Sequence, residues 1–383
     1  MKKKKILIFF GTRPEIIKLA PVVLEFQRAR VARIEVCDTG QHPHLAGPLM
    51  NWFGIHAGHR LALMSEGQSL AALSAKALTG VDRLISKLRP DLILCQGDTT
   101  TAMMVGLGAY YARVPLGHVE AGLRTWDRFA PYPEEVNRRM LSLVADLHFT
   151  PTRDTARNLR AEKVCVSDIA VTGNTSIDAL LWTVRRLRRK PLKSREFEPA
   201  IRPLLETGKR RRNFVIVTAH RRESFGQRIQ KIGQAVKTLA VKHPDWKWLV
   251  PLHPNPNAGP VLARLLKGLP NVILCRPLNY PQFCLLLDRC RFAITDSGGI
   301  QEEAPAIGRP VIVVREKTER PEALKTGHLI LAGYDTDVIV RAAMAWMGSP
   351  ARLKRLSRPV FPYGDGRAAG RIVRSVKKFL RKM

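Results

Sequence analysis

The chain has 383 residues, 45% of them apolar, which is ordinary for a globular protein and enough for two domains of about 150 to 200 residues. Its formal charge of +32 is unusual and admits a nucleic-acid or anionic-membrane partner, or a field that steers an anionic substrate. No apolar run approaches a membrane-spanning length, and no zinc-finger spacing or RNP-like aromatic strand accompanies the basic residues, so a generally basic surface without a specific nucleic-acid partner is expected.

Four lysines precede the apolar run Ile6–Phe10, which Gly11 ends too early for a signal-peptide core. That run predicts a first buried strand. Ile34–Cys37, Leu92–Cys95, Leu116–Val119 and Leu147–Phe149 predict further strands, with helices over Pro14–Arg28, Leu70–Lys87, Thr101–Ala112 and Glu134–Ala145 between them. A second set follows, with strands at Phe214–Thr218, Trp248–Pro251, Val272–Leu274, Phe292–Thr295 and Val311–Val314. Helices are expected near Gln227–Lys242, Val261–Leu266 and Pro281–Asp288. Such alternation predicts an α/β protein with two doubly wound parallel sheets facing each other, and ligands at the carboxyl ends of the strands.

Between the sets, Leu180–Arg212 combines many Arg and Lys with Pro191, Pro199 and Pro203, and suits an exposed helix and connector. The expected division is residues 1–172 and 173–363, with the amphipathic C-terminal stretch 364–383 crossing back onto the first domain. The basic residues gather in Arg185–Lys193, Lys209–Arg212, Arg352–Arg358 and Arg371–Lys382, as solvated helix faces and loops would. Six scattered cysteines lack any C-x-x-C pair, and Cys37, Cys95 and Cys275 lie in strand-like runs. Reduced, structural thiols in a cytoplasmic protein are expected.

Four segments place polar residues where strands end. In GTRPEIIK, Thr12 can cap a helix, Pro14 suits its first turn, and Arg13 and Lys18 flank an anion-favouring N-terminus. No G-x-G-x-x-G follows this strand, so the dinucleotide fingerprint is absent. In QGDTTT, Asp98 taken alone reads as a helix cap. In HVEAGLR and PYPEEVNR, Glu120 closes a strand while Glu134 and Glu135 open a helix, where the macrodipole already favours acids. Together these acids would converge on one cleft, and close carboxylates push one another's pKa apart, which equips one as acid and one as base. In the second set, TAHRRES carries His220, and TDSGGIQEEAP carries Ser297, Gly298 and Gly299 as a nest of N–H groups suited to a diphosphate. Glu303 could accept from a ribose diol, and Glu319 with Arg320 adds to a nucleotide-binding reading. His253 has no such local support and reads as structural.

These segments, with GDTTTA, TGNTSIDAL, TERPEA and PYGDGRAAGRI, resemble the bacterial non-hydrolysing UDP-N-acetylglucosamine 2-epimerases, in order, from Gly11 to Ile372. The resemblance implies a glycosyltransferase-B-type architecture of two Rossmann-like domains, with UDP held mainly by the second and the active site in the interdomain cleft. It implies interconversion of UDP-N-acetylglucosamine and UDP-N-acetylmannosamine for surface polysaccharide precursors, with no cofactor or metal and in a homodimer. Elimination of UDP to a 2-acetamidoglucal is followed by re-addition with inverted C2. Asp98, Glu120, Glu134 and His220 match catalytic positions of that family; Arg13, Lys18, Phe283, Ser297, Gly298, Gly299, Glu303 and Arg320 match ligand-binding positions.

One segment departs. Where family members carry Gln-His-x-x-Met-Leu-Asp-Gln, linked to activation by UDP-N-acetylglucosamine, this chain has QHPHLAGP, with Pro48 at the later Gln position. Gln41, Gln68, Arg221 and His253 remain from that allosteric set, so weakened or absent activation is expected. The rival readings are a hydrolysing epimerase releasing N-acetylmannosamine and UDP, an epimerase for a modified UDP sugar, a glycosyltransferase, and a basic RNA- or membrane-surface-binding protein.

Overall fold

A computed structural model describes residues 3–41, 43–65, 67–206, 213–318 and 320–383. The chain forms two compact units, 1–179 with 363–383, and 180–362.

The first unit is built on seven parallel strands: β1 (Lys5–Phe10), β2 (Arg33–Asp38), β3 (His59–Arg60), β4 (Leu92–Gln96), β5 (Leu116–Val119), β6 (Leu147–Thr150) and β7 (Ile169–Val171), in the order β3-β2-β1-β4-β5-β6-β7. Helices α1 (Arg13–Ala29), α2 (Pro43–Phe53), α3 (Leu70–Leu88), α4 (Thr100–Tyr111), α5 (Glu134–Val144) and α6 (Arg153–Ala161) connect them. Strands β1 and β4 are apolar and buried almost throughout because helices cover both faces of a parallel sheet. The order reverses between β1 and β4, which pair Ile6 with Leu92 and Ile8 with Leu94. A crevice opens beyond the carboxyl ends of the strands at such a reversal.

Helix α7 (Thr175–Arg189) carries the chain out of this unit. The second unit has strands β8 (Phe214–Thr218), β9 (Lys247–Pro251), β10 (Val272–Cys275), β11 (Phe292–Thr295), β12 (Val311–Val313) and β13 (Leu329–Leu331), all parallel in the order β10-β9-β8-β11-β12-β13. Helices α8 (Gln227–Lys242), α9 (Gly259–Leu266), α10 (Tyr280–Arg289), α11 (Gly298–Ala306), α12 (Thr336–Met347) and α13 (Pro350–Leu356) complete it. Its reversal lies between β8 and β11, which also share a Thr218–Thr295 hydroxyl hydrogen bond of 2.6 Å. Trp248, Trp346 and Phe292 are fully buried in its core, each burial contributing about 1.5–3 kcal/mol or more.

The expected exposed connector is corrected here. Basic residues of α7 do face solvent, but Leu180, Val184 and Leu187 form a buried stripe at helical spacing. Beyond it Phe197, Ile201 and Leu204 are buried too, and the backbone carbonyl of Glu196 accepts from Gln282 Nε2 of α10 at 2.6 Å. This segment is part of the second unit rather than a solvated linker. The basic runs in α13 and at the C-terminus are exposed as expected, whereas Lys209–Arg212 lies outside the described residues. Cys37, Cys95 and Cys275 are buried free thiols; burial pushes Cys37 and Cys275 up to about 12. Among the described residues no helix is long and apolar enough to cross a membrane.

The final helix, α14 (Ala368–Leu380), packs on α1 in the first unit. Asp178 on α7 anchors its start, accepting from Ala368 N at 3.2 Å and Ala369 N at 2.9 Å. Burial, with Asp365 as a like charge, pushes Asp178 from 3.8 up to about 6 despite these donors. The folded state therefore binds this proton more tightly than the unfolded chain, and stability falls as pH rises from about 4 to about 6. At about 1.4 kcal/mol per unit, the effect is roughly 3 kcal/mol. Asp178→Asn is expected to flatten that stretch of the Tm-against-pH curve; an unchanged slope would reject the assignment.

Candidate active site

In the first unit, the turn after β1 is organised by Glu15. Thr12 caps α1, and the buried Glu15 carboxylate accepts from Gly11 N at 2.8 Å, Thr12 N at 2.7 Å and Thr99 Oγ1 at 2.7 Å. Burial raises its pKa while the donors oppose the rise. Glu15 thus ties the turn after β1 to the turn after β4. Arg13 occupies the first helical position, and Lys18, one turn on, reaches Glu120 Oε2 at 2.5 Å.

The turn after β4 corrects the capping role given to Asp98. Thr99 is the N-cap of α4, accepting from Ala102 N at 3.0 Å, which leaves the Asp98 carboxylate to pair with Arg138 at 2.5 Å. Asn137 Nδ2 holds the Asp98 carbonyl at 2.9 Å. Beneath it, fully buried His118 donates through Nε2 to the Gly97 carbonyl at 2.7 Å. Burial lowers that imidazole to about 3, so it is neutral and structural.

Glu120 follows β5 with φ of 64°, left-handed backbone that a non-glycine residue adopts at a cost of about 1–3 kcal/mol. Gly122 allows this corner, because a Cβ there would sit 2.3 Å from the Thr155 carbonyl oxygen. The Glu120 side chain is buried and accepts from Lys18, from Gln96 Nε2, and at Oε1 from Asn174 Nδ2 at 3.0 Å.

At the start of α5 the two acids divide their tasks. Glu135 is fully buried and structural: it accepts from Thr125 N at 3.0 Å and Trp126 N at 3.1 Å, and pairs with Arg138 at 3.2 Å. Glu134 is half-buried, and its Oε2 is buried with no hydrogen-bond partner among the described residues. An unsatisfied buried acceptor at a helix N-terminus is a group awaiting a donor. Through Arg138, which grips both Asp98 and Glu135, the fold brings Asp98 beside the turn that carries Glu134. Arg138, Asn137, Gln96 and Asn174 were not singled out by the sequence reading.

In the second unit the organiser is Asp296, fully buried after β11. Its Oδ2 accepts from His220 N, Arg221 N and Ser224 Oγ, each at 2.8 Å, while Oδ1 lies 3.6 Å from His220 Nδ1. His220 follows β8 with its side chain 37% exposed. The view of His253 as an unsupported loop residue is corrected: its ring stacks on His220 at 5.1 Å and 13°. Burial and the neighbouring His220 lower the His253 pKa.

Ser297 is the N-cap of α11 with no side-chain capping bond, so its hydroxyl is not used to close the helix. Gly298 and Gly299 open the first turn after β11, where helix N–H groups have no partner within the helix. Arg320 pairs with Glu302 and lies over Gly298, where an added Cβ would come 2.8 Å from the guanidinium. Glu303 is half-buried one turn into α11, and Phe283 half-buried on α10. Glu319 lies outside the described residues. Of the expected allosteric residues, Gln41 accepts from Thr101 Oγ1 at 3.0 Å and Gln68 donates to Met64 Sδ at 3.3 Å in the first unit. Arg221 in the second lies 3.6 Å from Glu223, and Pro48 is exposed inside α2. No group of three or more His, Cys, Asp or Glu suited to a metal occurs among the described residues.

The family model described as UDP-N-acetylglucosamine 2-epimerase matches residues 24–377. The UDP-N-acetylglucosamine 2-epimerase of Escherichia coli K12 is 41% identical over 97% of this chain and 98% of its own length. A crystal structure of the Neisseria meningitidis UDP-GlcNAc 2-epimerase bound to UDP-GlcNAc has a TM-score of 0.91 and 37% identity, covering 98% of this chain and 100% of that one. The glycosyltransferase of kitacinnamycin, 15% identical with a TM-score of 0.61, shares the fold alone. The two Rossmann-like parallel sheets are those of the glycosyltransferase-B-type architecture.

Proposed function

Because the chain belongs to the UDP-N-acetylglucosamine 2-epimerase family, we propose that it interconverts UDP-N-acetylglucosamine and UDP-N-acetylmannosamine without hydrolysis. The observation that carries the reading is Glu120, a buried carboxylate fixed by donors from three separate segments at the carboxyl end of β5. Such a group is set to exchange a proton with a substrate carbon, which is worth about 10²–10⁴-fold in rate.

The C2 proton of the sugar is weakly acidic, so its removal is coupled to departure of UDP from C1. A carboxylate takes the proton, the C2–H electrons form the C1–C2 double bond, and the C1–O bond breaks to the diphosphate. His220 and the N–H groups of the Ser297 turn are assigned to the charge that develops on UDP. Re-addition of UDP at C1 with proton delivery to the other face of C2 inverts that centre. Asp98, Glu120 and Glu134 supply this acid-base set. Arg13, Lys18, Phe283, Glu303 and Arg320 are assigned to ligand binding. The product is a precursor suited to surface polysaccharides.

The test is incubation with UDP-N-acetylglucosamine in D₂O, followed by NMR. UDP-N-acetylmannosamine deuterated at C2 supports the reading. Free N-acetylmannosamine with UDP replaces it by the hydrolysing one, and absence of exchange rejects both.

Pro48 in place of a glutamine supports weakened or absent activation by UDP-N-acetylglucosamine, seen as hyperbolic kinetics. Sigmoidal turnover of UDP-N-acetylmannosamine would overturn this. A homodimer is supported by an apolar outer face: Leu143 is 85% exposed, with Val136 and Met140 on α5 and Tyr110 and Tyr111 on α4 also exposed. Leu143→Glu is expected to shift sedimentation from dimer to monomer; a monomeric unmutated protein would refute the assignment.

A further inference from the structure

We propose that Asn174 is a positioning residue that fixes the orientation of the Glu120 carboxylate and ties it to the returning segment that begins at Tyr363. Asn174 sits between β7 and α7 and is 1% exposed. Its Oδ1 accepts from Ser176 N at 3.0 Å, which closes the start of α7. Its Nδ2 donates to Glu120 Oε1 at 3.0 Å. Its backbone N donates to the Tyr363 carbonyl at 2.6 Å.

The two side-chain bonds set which way the amide faces, and the backbone bond fixes the residue that carries it. The oxygen must face Ser176, so the nitrogen must face Glu120. One short side chain offering an acceptor and a donor on opposite sides is the chemistry of asparagine. Lys18 and Gln96 both bind Oε2 and Asn174 holds Oε1, so the donors on the two oxygens oppose rotation of the carboxylate about its terminal bond. The returning chain seals this arrangement: a Cβ on Gly364 would lie 3.0 Å from Asn174 N, and a Cβ on Gly173 would lie 3.0 Å from Gly364 Cα. One turn further along α7, Asp178 holds the N–H groups of Ala368 and Ala369. The first turn of α7 therefore grips the returning segment twice, and Asn174 passes that fixed point on to Glu120. In this role Asn174 acts through Glu120.

The inference rests on the epimerase reading, and Asn174→Asp separates the two. Aspartate still caps α7 through an oxygen on Ser176 N, so the fold is kept, but it faces Glu120 with a like charge in place of a donor. The expected result is a fall in kcat of about 10- to 100-fold at neutral pH with KM within about threefold. One limb of the kcat–pH profile should move to higher pH while the other stays. Asn174→Ser, which caps without reaching Glu120, should lower kcat and move the same limb less than Asn174→Asp does, since it removes a donor without adding a charge. Both variants should lose some stability but remain folded at the assay temperature, which circular dichroism checks. If the unmutated protein exchanges C2 deuterium yet Asn174→Asp keeps its kcat, or loses it with both limbs in place, the positioning role is wrong. If the unmutated protein itself shows no exchange, the epimerase reading falls first.

Discussion

Glu120→Gln is expected to lower kcat by about 10³-fold and to abolish C2 deuterium exchange, because the amide cannot take or return the proton. The substitution also sets an NH₂ group against a donor whichever way the amide turns. Lys18 and Gln96 approach one oxygen, and Asn174 the other. One buried donor is left facing another, at a cost of about 1–3 kcal/mol seen as a lower Tm. Affinity for UDP, measured by calorimetry, should stay within a few-fold, since the Ser297 turn belongs to the other unit. A kcat within tenfold of the unmutated protein would remove Glu120 from the acid-base set.

Asp296→Ala carries the second large effect, this time on stability. Three donors converge on Oδ2, and the residue is fully buried, so alanine strands two backbone N–H groups and the Ser224 hydroxyl together. Losses of about 1–3 kcal/mol per buried donor, not fully additive, predict at least about 3 kcal/mol of destabilisation. Urea melts followed by tryptophan fluorescence should report it, since Trp246, Trp248 and Trp346 all lie in the core of this unit. Asp296→Asn keeps one oxygen for the same donors and should cost less than half as much. A melt of Asp296→Ala at the unmutated midpoint would mean that these donors find other acceptors.

The central strands were legible because helices cover both faces. Ile6–Phe10, Leu92–Cys95 and Phe214–Thr218 need apolar residues at every position, and that pattern is visible without a structure. The edge strands of the first sheet were not. β3 is two polar residues long, and β7, although apolar, is only three residues long and partly exposed. In α7 four arginines hid a buried stripe whose spacing is still present at Leu180, Val184 and Leu187. The site divides the same way. Glu120, Glu134 and Ser297 could be found because strands end and helices begin at them. Lys18, Gln96 and Asn174 converge on Glu120 across 102, 24 and 54 positions, a meeting that only tertiary structure specifies. Asp98 taken alone has the look of a cap, but Thr99, one residue later, is the residue that caps α4.

The first unit is discontinuous, and this sets an order of assembly during synthesis. Residues 180–362 form an uninterrupted piece, so the second unit can complete its sheet as soon as it has left the ribosome. The first unit, although translated earlier, must wait for residues 363–383 before α14 can cover α1. The Tyr363 carbonyl that steadies Asn174 arrives in the same late segment. The surroundings of Glu120 are therefore finished only after the second unit has been made, and a nascent chain halted before Tyr363 holds the carboxylate without its clasp.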